Sequence, residues 1–234
     1  MRRPSTATGG ADPAGARADD LDRWARGGLW ALPPWAALLL VSTLTHQPSP
    51  AADFPAYARY VTTTPFLLSH LVASILGAAI GLLGLIALFV LLARGRTSRL
   101  ALAGLVASVL ATVLTASVFG VAAFAQPAIG RAYLGGGAEQ AVALNADVYG
   151  PPLFATALPG LLLFALGTAL SGAAVARCGW LPRWAGVGLA LGGVLFAIVG
   201  FLVGPVQPVG AALMAASTAW IASRAGRTRD AGTP

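Results

Sequence analysis

Five stretches of this chain run for 26 to 40 residues without an aspartate, a glutamate or an arginine, and the chain has no lysine at all. They are Gly27–Ala52, Tyr60–Ala93, Leu100–Gly130, Val148–Ala176 and Trp184–Ser223. A helix needs about 20 apolar residues to cross a hydrocarbon core about 30 Å thick. Each of the first four stretches holds one such helix with its interfacial turns. The fifth is 40 residues long and holds two, because Gly204-Pro205-Val206-Gln207-Pro208 interrupts it. Two prolines and a glycine within five residues stop one helix and start the next. The spacing predicts helices near 29–45, 65–93, 100–125, 151–176, 185–203 and 208–223, the last two an antiparallel hairpin. The expected fold is an all-α, polytopic transmembrane bundle of six spans. Its membrane domain covers 28–223, between a cytoplasmic segment 1–27 and a basic cytoplasmic tail 224–234.

Composition supports this. Only 10% of the 234 residues are charged, against about 25% in an average soluble domain. The net charge of +7 raises the question of nucleic acid, but the arginines stand singly between apolar runs rather than on one polar face. The expected partners are the lipid bilayer and a membrane protein or small-molecule ligand, with no nucleic acid. All 15 basic residues are arginines, and with the abundant Ala and Gly this reads as a GC-rich, bacterial coding bias. Cys178 is the single cysteine and fits a small apolar helix-end residue.

Orientation follows from the arginines. With the amino terminus inside, thirteen of the fifteen fall on inner segments and only Arg59 and Arg131 fall outside. That is the positive-inside pattern. Both termini are therefore expected in the cytoplasm, in a plasma membrane. Tyr57, Tyr60, Tyr133 and Tyr149 gather on the outer side, while Trp24, Trp30, Trp180, Trp184 and Trp220 flank inner helix ends. The first span, preceded by Arg23 and Arg26, is read as an uncleaved anchor rather than a signal peptide ending near Ser49 and Ala51.

Segments outside the spans also carry patterns. Residues 1–17 and the tail after Ser223 read as disordered, Ala18–Gly27 as a short helix with Asp19–Arg23 and Asp22–Arg26 pairs at i,i+4 spacing. Asp53 is an N-cap and Pro55 a first-turn residue for an interfacial helix bearing Phe54, Tyr57, Tyr60 and Val61. A weaker helix is expected from Ala138 to Ala146. Small residues form stripes: Ser74, Gly77, Gly81 and Gly84 in line with His70 on the second span, Gly104, Ser108, Thr112 and Thr115 on the third, Gly186, Ala190, Gly193, Ala197, Gly200 and Gly204 on the fifth. Ala212, Ala216, Ala219 and Ser223 form a less distinct one on the sixth. Such faces let helix backbones approach in lipid.

The inner loop Leu181-Pro182-Arg183-Trp184-Ala185-Gly186 opens a Gly-rich helix. This L-P-R-W-x-G run resembles a loop of uncharacterised bacterial six-helix integral membrane proteins, a domain of unknown function. The resemblance implies a six-helix plasma-membrane fold and brings no activity, cofactor or site residue.

No catalytic, metal or nucleotide motif stands out, and no cofactor is expected. No acid or arginine lies inside a predicted span, which argues against a proton relay or voltage sensor. His70, on the face of Ser74 and Gly77, is the polar exception. It is joined at similar depth by Gln126, Asp147, Thr156 and Gln207 as candidate ligand-binding residues, near the interrupting pair Pro159-Gly160. Three readings follow. In the first, His70 makes one interhelical hydrogen bond in a non-enzymatic structural or accessory protein. In the second, a permease-like protein binds a small or lipid-like molecule in an outward-facing cavity. In the third, His46 and His70 take part in haem or metal chemistry with Asp53 or Asp147. The first is preferred and the second is the alternative; enzymatic activity is not expected.

Overall fold

The computed structural model describes residues 13–44 and 47–227, and every regular element among them is helical. Helix α1 is Pro13–Gly28, and a 3-10 turn at Leu29–Ala31 carries it into α2, Leu32–Thr43. Then follow α3 (Phe54–Val61), α4 (Thr64–Leu92), α5 (Ser98–Leu134) and α6 (Ala138–Val148). Helices α7 (Pro151–Cys178), α8 (Arg183–Leu202) and α9 (Gln207–Arg227) complete the bundle. Helices α4, α5, α7 and α8 are long and apolar enough to cross a membrane. Of the other two expected spans, α2 has 12 residues and rises only about 18 Å. Helix α9 has 21 residues, but Gln207, its hydroxyl residues and its closing arginines make it less apolar than those four.

Local chemistry sets the ends. Asp53 caps α3, its Oδ1 accepting from Ala56 N at 2.9 Å, with Pro55 in the first turn. The cap of α4 is Thr63, whose Oγ1 accepts from Phe66 N at 3.3 Å. Gly179, at φ +91°, ends α7 in the left-handed conformation that an L side chain avoids. A 3-10 turn at Gly204–Val206 replaces the helix where the two prolines were expected to break it.

Glycines decide the packing. A Cβ on Gly104 of α5 would lie 2.9 Å from Ser171 N of α7. One on Gly172 of α7 would lie 2.8 Å from Ala190 N of α8. One on Gly192 of α8 would lie 2.9 Å from the Gly210 carbonyl of α9. On the other flank, Trp35 of α2 sits against bare Gly81 of α4, where a Cβ would come within 2.5 Å of Cγ. Helices in lipid gain little from burying apolar surface, so backbone-to-backbone contact supplies the dispersion energy.

Several expectations are corrected. Helix α1 begins at Pro13, so Pro13–Arg17 is helical rather than disordered; residues 1–12 lie outside the described part. The i,i+4 pairs are replaced: Arg23 pairs with Asp20, Asp22 lies 3.7 Å from Arg94, and Arg26 donates to the Ala225 carbonyl at 2.7 Å. The closing tail is helical through Arg227, and 228–234 lie outside the described part. Helix α5 continues past residue 125 to Leu134 despite Pro127. Proline removes one hydrogen bond, but the added turns are covered by α3, with Ile129 buried and Gly130 against the Ala58 carbonyl. On α9 the expected stripe does not face the bundle squarely: Ala212 and Ala216 are exposed and Ala219 and Ser223 half-buried, while Gly210, Met214, Ser217 and Ile221 face inward.

Because Gly172 meets backbone rather than a movable side chain, Gly172→Ala should destabilise the bundle by about 1–3 kcal/mol. Gly120→Ala, which meets nothing within 4 Å, should be neutral or slightly stabilising. Thermal unfolding in a mild detergent reads both.

Candidate functional site

Two helices change their winding at the same level of the bundle. In α4 the segment Ser69–Leu76 is a π-helix, and in α8 so is Leu195–Val199. A π turn widens the helix and is frequent at functional sites. Both segments border one cavity of about 320 Å3, lined by Ser69, His70 and Ser74 from α4 and by Phe196 from α8. Ser42 and Thr43 of α2, Thr115 and Phe119 of α5, Leu161 of α7 and Gln207 of α9 also line it, with the apolar Leu39, Val118, Ala157 and Phe201. Through Leu39, Ser74, Thr115, Phe119, Leu161 and Phe196 it narrows into a mainly apolar slot reaching Trp35, Leu85 and Phe164, with Ser108, Thr112 and Thr168 also on its wall. The rings of Trp35, Phe164 and Phe196 stand in sequence at the slot, with centroids 6.0 and 5.5 Å apart.

The polar groups at the mouth have a defined polarity. Ser42 donates to the Leu39 carbonyl, Thr43 to Leu40, Ser69 to Phe66 and Thr115 to Ala111, all at 2.7–2.8 Å. Ser74 donates to the Ser69 carbonyl at 3.3 Å, five residues back, as the π winding allows. Each hydroxyl proton thus goes to its own helix, leaving the oxygen lone pairs of Thr43, Ser74 and Thr115 for the cavity, while Ser69 Oγ also lies 3.2 Å from His70 Nδ1. His70 Nδ1 lies 3.0 Å from the Phe66 carbonyl, an acceptor only, so Nδ1 carries a proton. In the neutral ring Nε2 is then an acceptor, without a hydrogen-bond partner among the described residues. The imidazole stacks on Phe66 with centroids 4.2 Å apart, which holds its orientation.

Of the residues expected to line a site, His70, Ser74 and Gln207 come together. Gln126, Asp147 and Thr156 do not line this cavity. Gln126 is buried near Tyr149, Asp147 is exposed at the end of α6, and Thr156 donates to the Pro152 carbonyl at 3.1 Å. Pro159-Gly160 reaches the site indirectly: Gly160 packs on Leu114 and on Thr115, which lines the cavity. His46 lies outside the described residues, so its proposed partnership with His70 has no geometry here. No group of three or more metal-ligating side chains occurs among the described residues. Sequence reasoning passed over Ser42, Thr43, Phe196 and both π segments. The signal within reach was the run Leu39–Thr43, where hydroxyls follow leucines at the end of the shortest apolar helix.

Beside the cavity's end of the bundle, α3, α6 and the extension of α5 form a cap. Tyr57 donates to Asn145 Oδ1 at 3.1 Å, and Phe54 packs on Tyr133 with centroids 4.9 Å apart. Burial pushes the Tyr149 phenol up to about 12. Tyr149 Oη and Gln126 Oε1 are buried without a hydrogen-bond partner among the described residues. Burial raises Tyr57 further still, with repulsion from Tyr149 adding to it.

This geometry defines a class: an all-α protein whose four long apolar helices fit a membrane and, with α2 and α9, border a polar-mouthed cavity. The chain matches no family model, no curated protein and no solved structure, so the class rests on its own residues.

Folding holds the Tyr149 phenol protonated up to about pH 12, whereas in the unfolded chain it ionises near 10. Above pH 10 the unfolded state therefore releases its proton first, and stability is full below pH 10 and falls toward 12. With no lysine in the chain, that window is free of ammonium titration. Tyrosinate absorbance followed with unfolding should show this decline, and Tyr149→Phe should make it shallower.

Proposed function

We propose that this chain is an integral protein of a bacterial plasma membrane with six spans and both termini in the cytoplasm. On this reading it binds a small amphiphile in the cavity around His70, which then opens toward the exterior. The division of the arginines supports the orientation: Arg94, Arg96, Arg99, Arg177 and Arg183 cluster at the end of the bundle away from His70. Helices α2 and α9 count as the first and sixth spans because they pack between the long apolar helices, α2 through Trp35 and α9 through Gly210. The loop resembling uncharacterised bacterial six-helix membrane proteins agrees with this placement.

The observation that carries the binding function is the cavity's graded chemistry. Its mouth offers hydroxyl lone pairs, His70 Nε2 and the Gln207 amide, and its depth is mainly aromatic and aliphatic, with Ser108, Thr112 and Thr168 the hydroxyl residues added there. The matching ligand has a head that donates hydrogen bonds, such as an alcohol or amine, and a slender apolar tail. A protein that only braces a membrane complex has no use for open volume between two π-helical turns. The binding role is therefore preferred over a purely accessory one.

A photoreactive long-chain alcohol should label peptides around residues 69–74 and 201–207. Ser74→Phe, which plugs the junction of mouth and slot, should cut labelling at least tenfold. Loss of one acceptor in His70→Ala is worth about 1 kcal/mol, or roughly fivefold. Thr156→Ala, outside the cavity, is the control; equal labelling in all variants would sink the binding reading. A periplasm-active reporter fused after residue 234 should stay silent, and its activity would reverse the orientation.

A further inference from the structure

At the arginine-rich end, an open groove of about 870 Å3 lies between the start of α5, the end of α7 and the start of α8. Arg96, Arg177 and Arg183 line it, and among the described residues no carboxylate forms an ion pair with any of them. The N-terminus of α5 opens into it with no side-chain cap, and so does that of α8 at Arg183. Uncapped amides and the positive end of a helix dipole both favour an anion.

Thr97 supplies the independent sign of a ligand. It lines the groove, its side chain is 4% exposed, and Oγ1 is buried with no hydrogen-bond partner among the described residues. A threonine at a helix start normally caps an amide with this oxygen. Here it does not, and its proton is left for a group in the groove.

Chemistry changes along the groove's length. Gly172 and Gly186 bring α7 and α8 into backbone contact, so no side chain fills the floor. Beyond the arginines the walls are Leu100, Ala190, Val187 and Leu191, the last two exposed toward the surroundings of the bundle. Leu191 stands eight residues beyond Arg183, about 12 Å along the axis. A free phosphate needs only the cationic end. A cationic end continued by an apolar wall at that distance fits a headgroup with its acyl chain attached.

We propose that this groove binds an anionic phospholipid, its phosphate held by Arg177, Arg183 and Thr97 and its acyl chain laid along Val187 and Leu191. Basic pockets between helices are a recurring way to hold such headgroups. The site is separate from the His70 cavity and rests on the bilayer reading, not on the orientation.

The test uses the purified full chain in a neutral detergent, titrated with phosphatidylglycerol, phosphatidylcholine or inorganic phosphate. Lipid retention is read by native mass spectrometry and stabilisation by thermal unfolding. Phosphatidylglycerol should be retained and raise the midpoint, phosphatidylcholine should not, and inorganic phosphate should fall well short. A basic residue near such a headgroup is worth about 1 kcal/mol, so Arg177→Gln with Arg183→Gln should weaken retention about 25-fold. Thr97→Val, which keeps shape and loses the oxygen, should weaken it severalfold and serves where the double variant does not fold. Equal retention of the two lipids, unchanged retention in the variants that fold, or a full shift from inorganic phosphate would each overturn the proposal. Labelling at the His70 cavity should be unaffected by any of these substitutions.

Discussion

Contact between bare helix backbones holds this bundle together. From Gly104 on α5 through Gly172 on α7 to Gly192 and Gly210 on α8 and α9, each pair of neighbours meets where a methyl group would not fit. In water, burial of leucines would draw these helices together with little regard for detail. In lipid the surroundings are as apolar as the leucines, and what remains is dispersion between closely fitted surfaces. Exposed Leu83, Leu110, Leu162 and Leu191 on the outer faces of the four long helices fit this account.

Tight packing in that row has a consequence for the rest of the molecule. Two openings remain beside it, near opposite ends of the bundle. One opening follows the π-helical turns of α4 and α8, where the widened winding leaves room beside His70 and Phe196. The other lies along the α7–α8 contact at Gly172 and Gly186, where no side chain fills the space beside Arg177 and Arg183. Their chemistries are opposed. The first presents hydrogen-bond acceptors because its hydroxyl protons are spent on helix carbonyls; the second presents guanidinium groups and uncapped amides. Each therefore selects a different partner.

Capping and anchoring residues keep the ends of the bundle in register. Tyr57 ties α3 to Asn145 of α6 over the extension of α5. At the other end Arg26 reaches the Ala225 carbonyl and stacks near Trp180 at 5.8 Å, joining α1 to the end of α9 and the loop after α7. Arg96 Nε donates to the Arg177 carbonyl at 2.9 Å, closing the last turn of α7. Arginines that look in sequence like mere markers of orientation thus take different tasks: Arg26 and Arg96 donate to carbonyls, Arg23 and Arg94 lie against carboxylates, and Arg177 and Arg183 face the groove.

How much of this was legible in the residues alone depends on the range of the interactions involved. Helical character, the ends of α4, α7 and α8, the Asp53 cap and the Gly204–Pro208 turn follow from local hydropathy and from proline and glycine chemistry, which act within a few residues. The inward faces of α4, α5 and α8 were legible too, since glycine stripes mark them. The face of α9 was not: alanines line its outer side as densely as its inner one, and lipid imposes no polar preference to separate them. The extension of α5 past Pro127 was decided by α3 covering it. The separation of Gln126 from His70 was decided by the cap, and the convergence of Thr97 with Arg183 by the packing of α7 on α8. Those outcomes depend on shape complementarity between segments far apart in the chain, which no local pattern encodes.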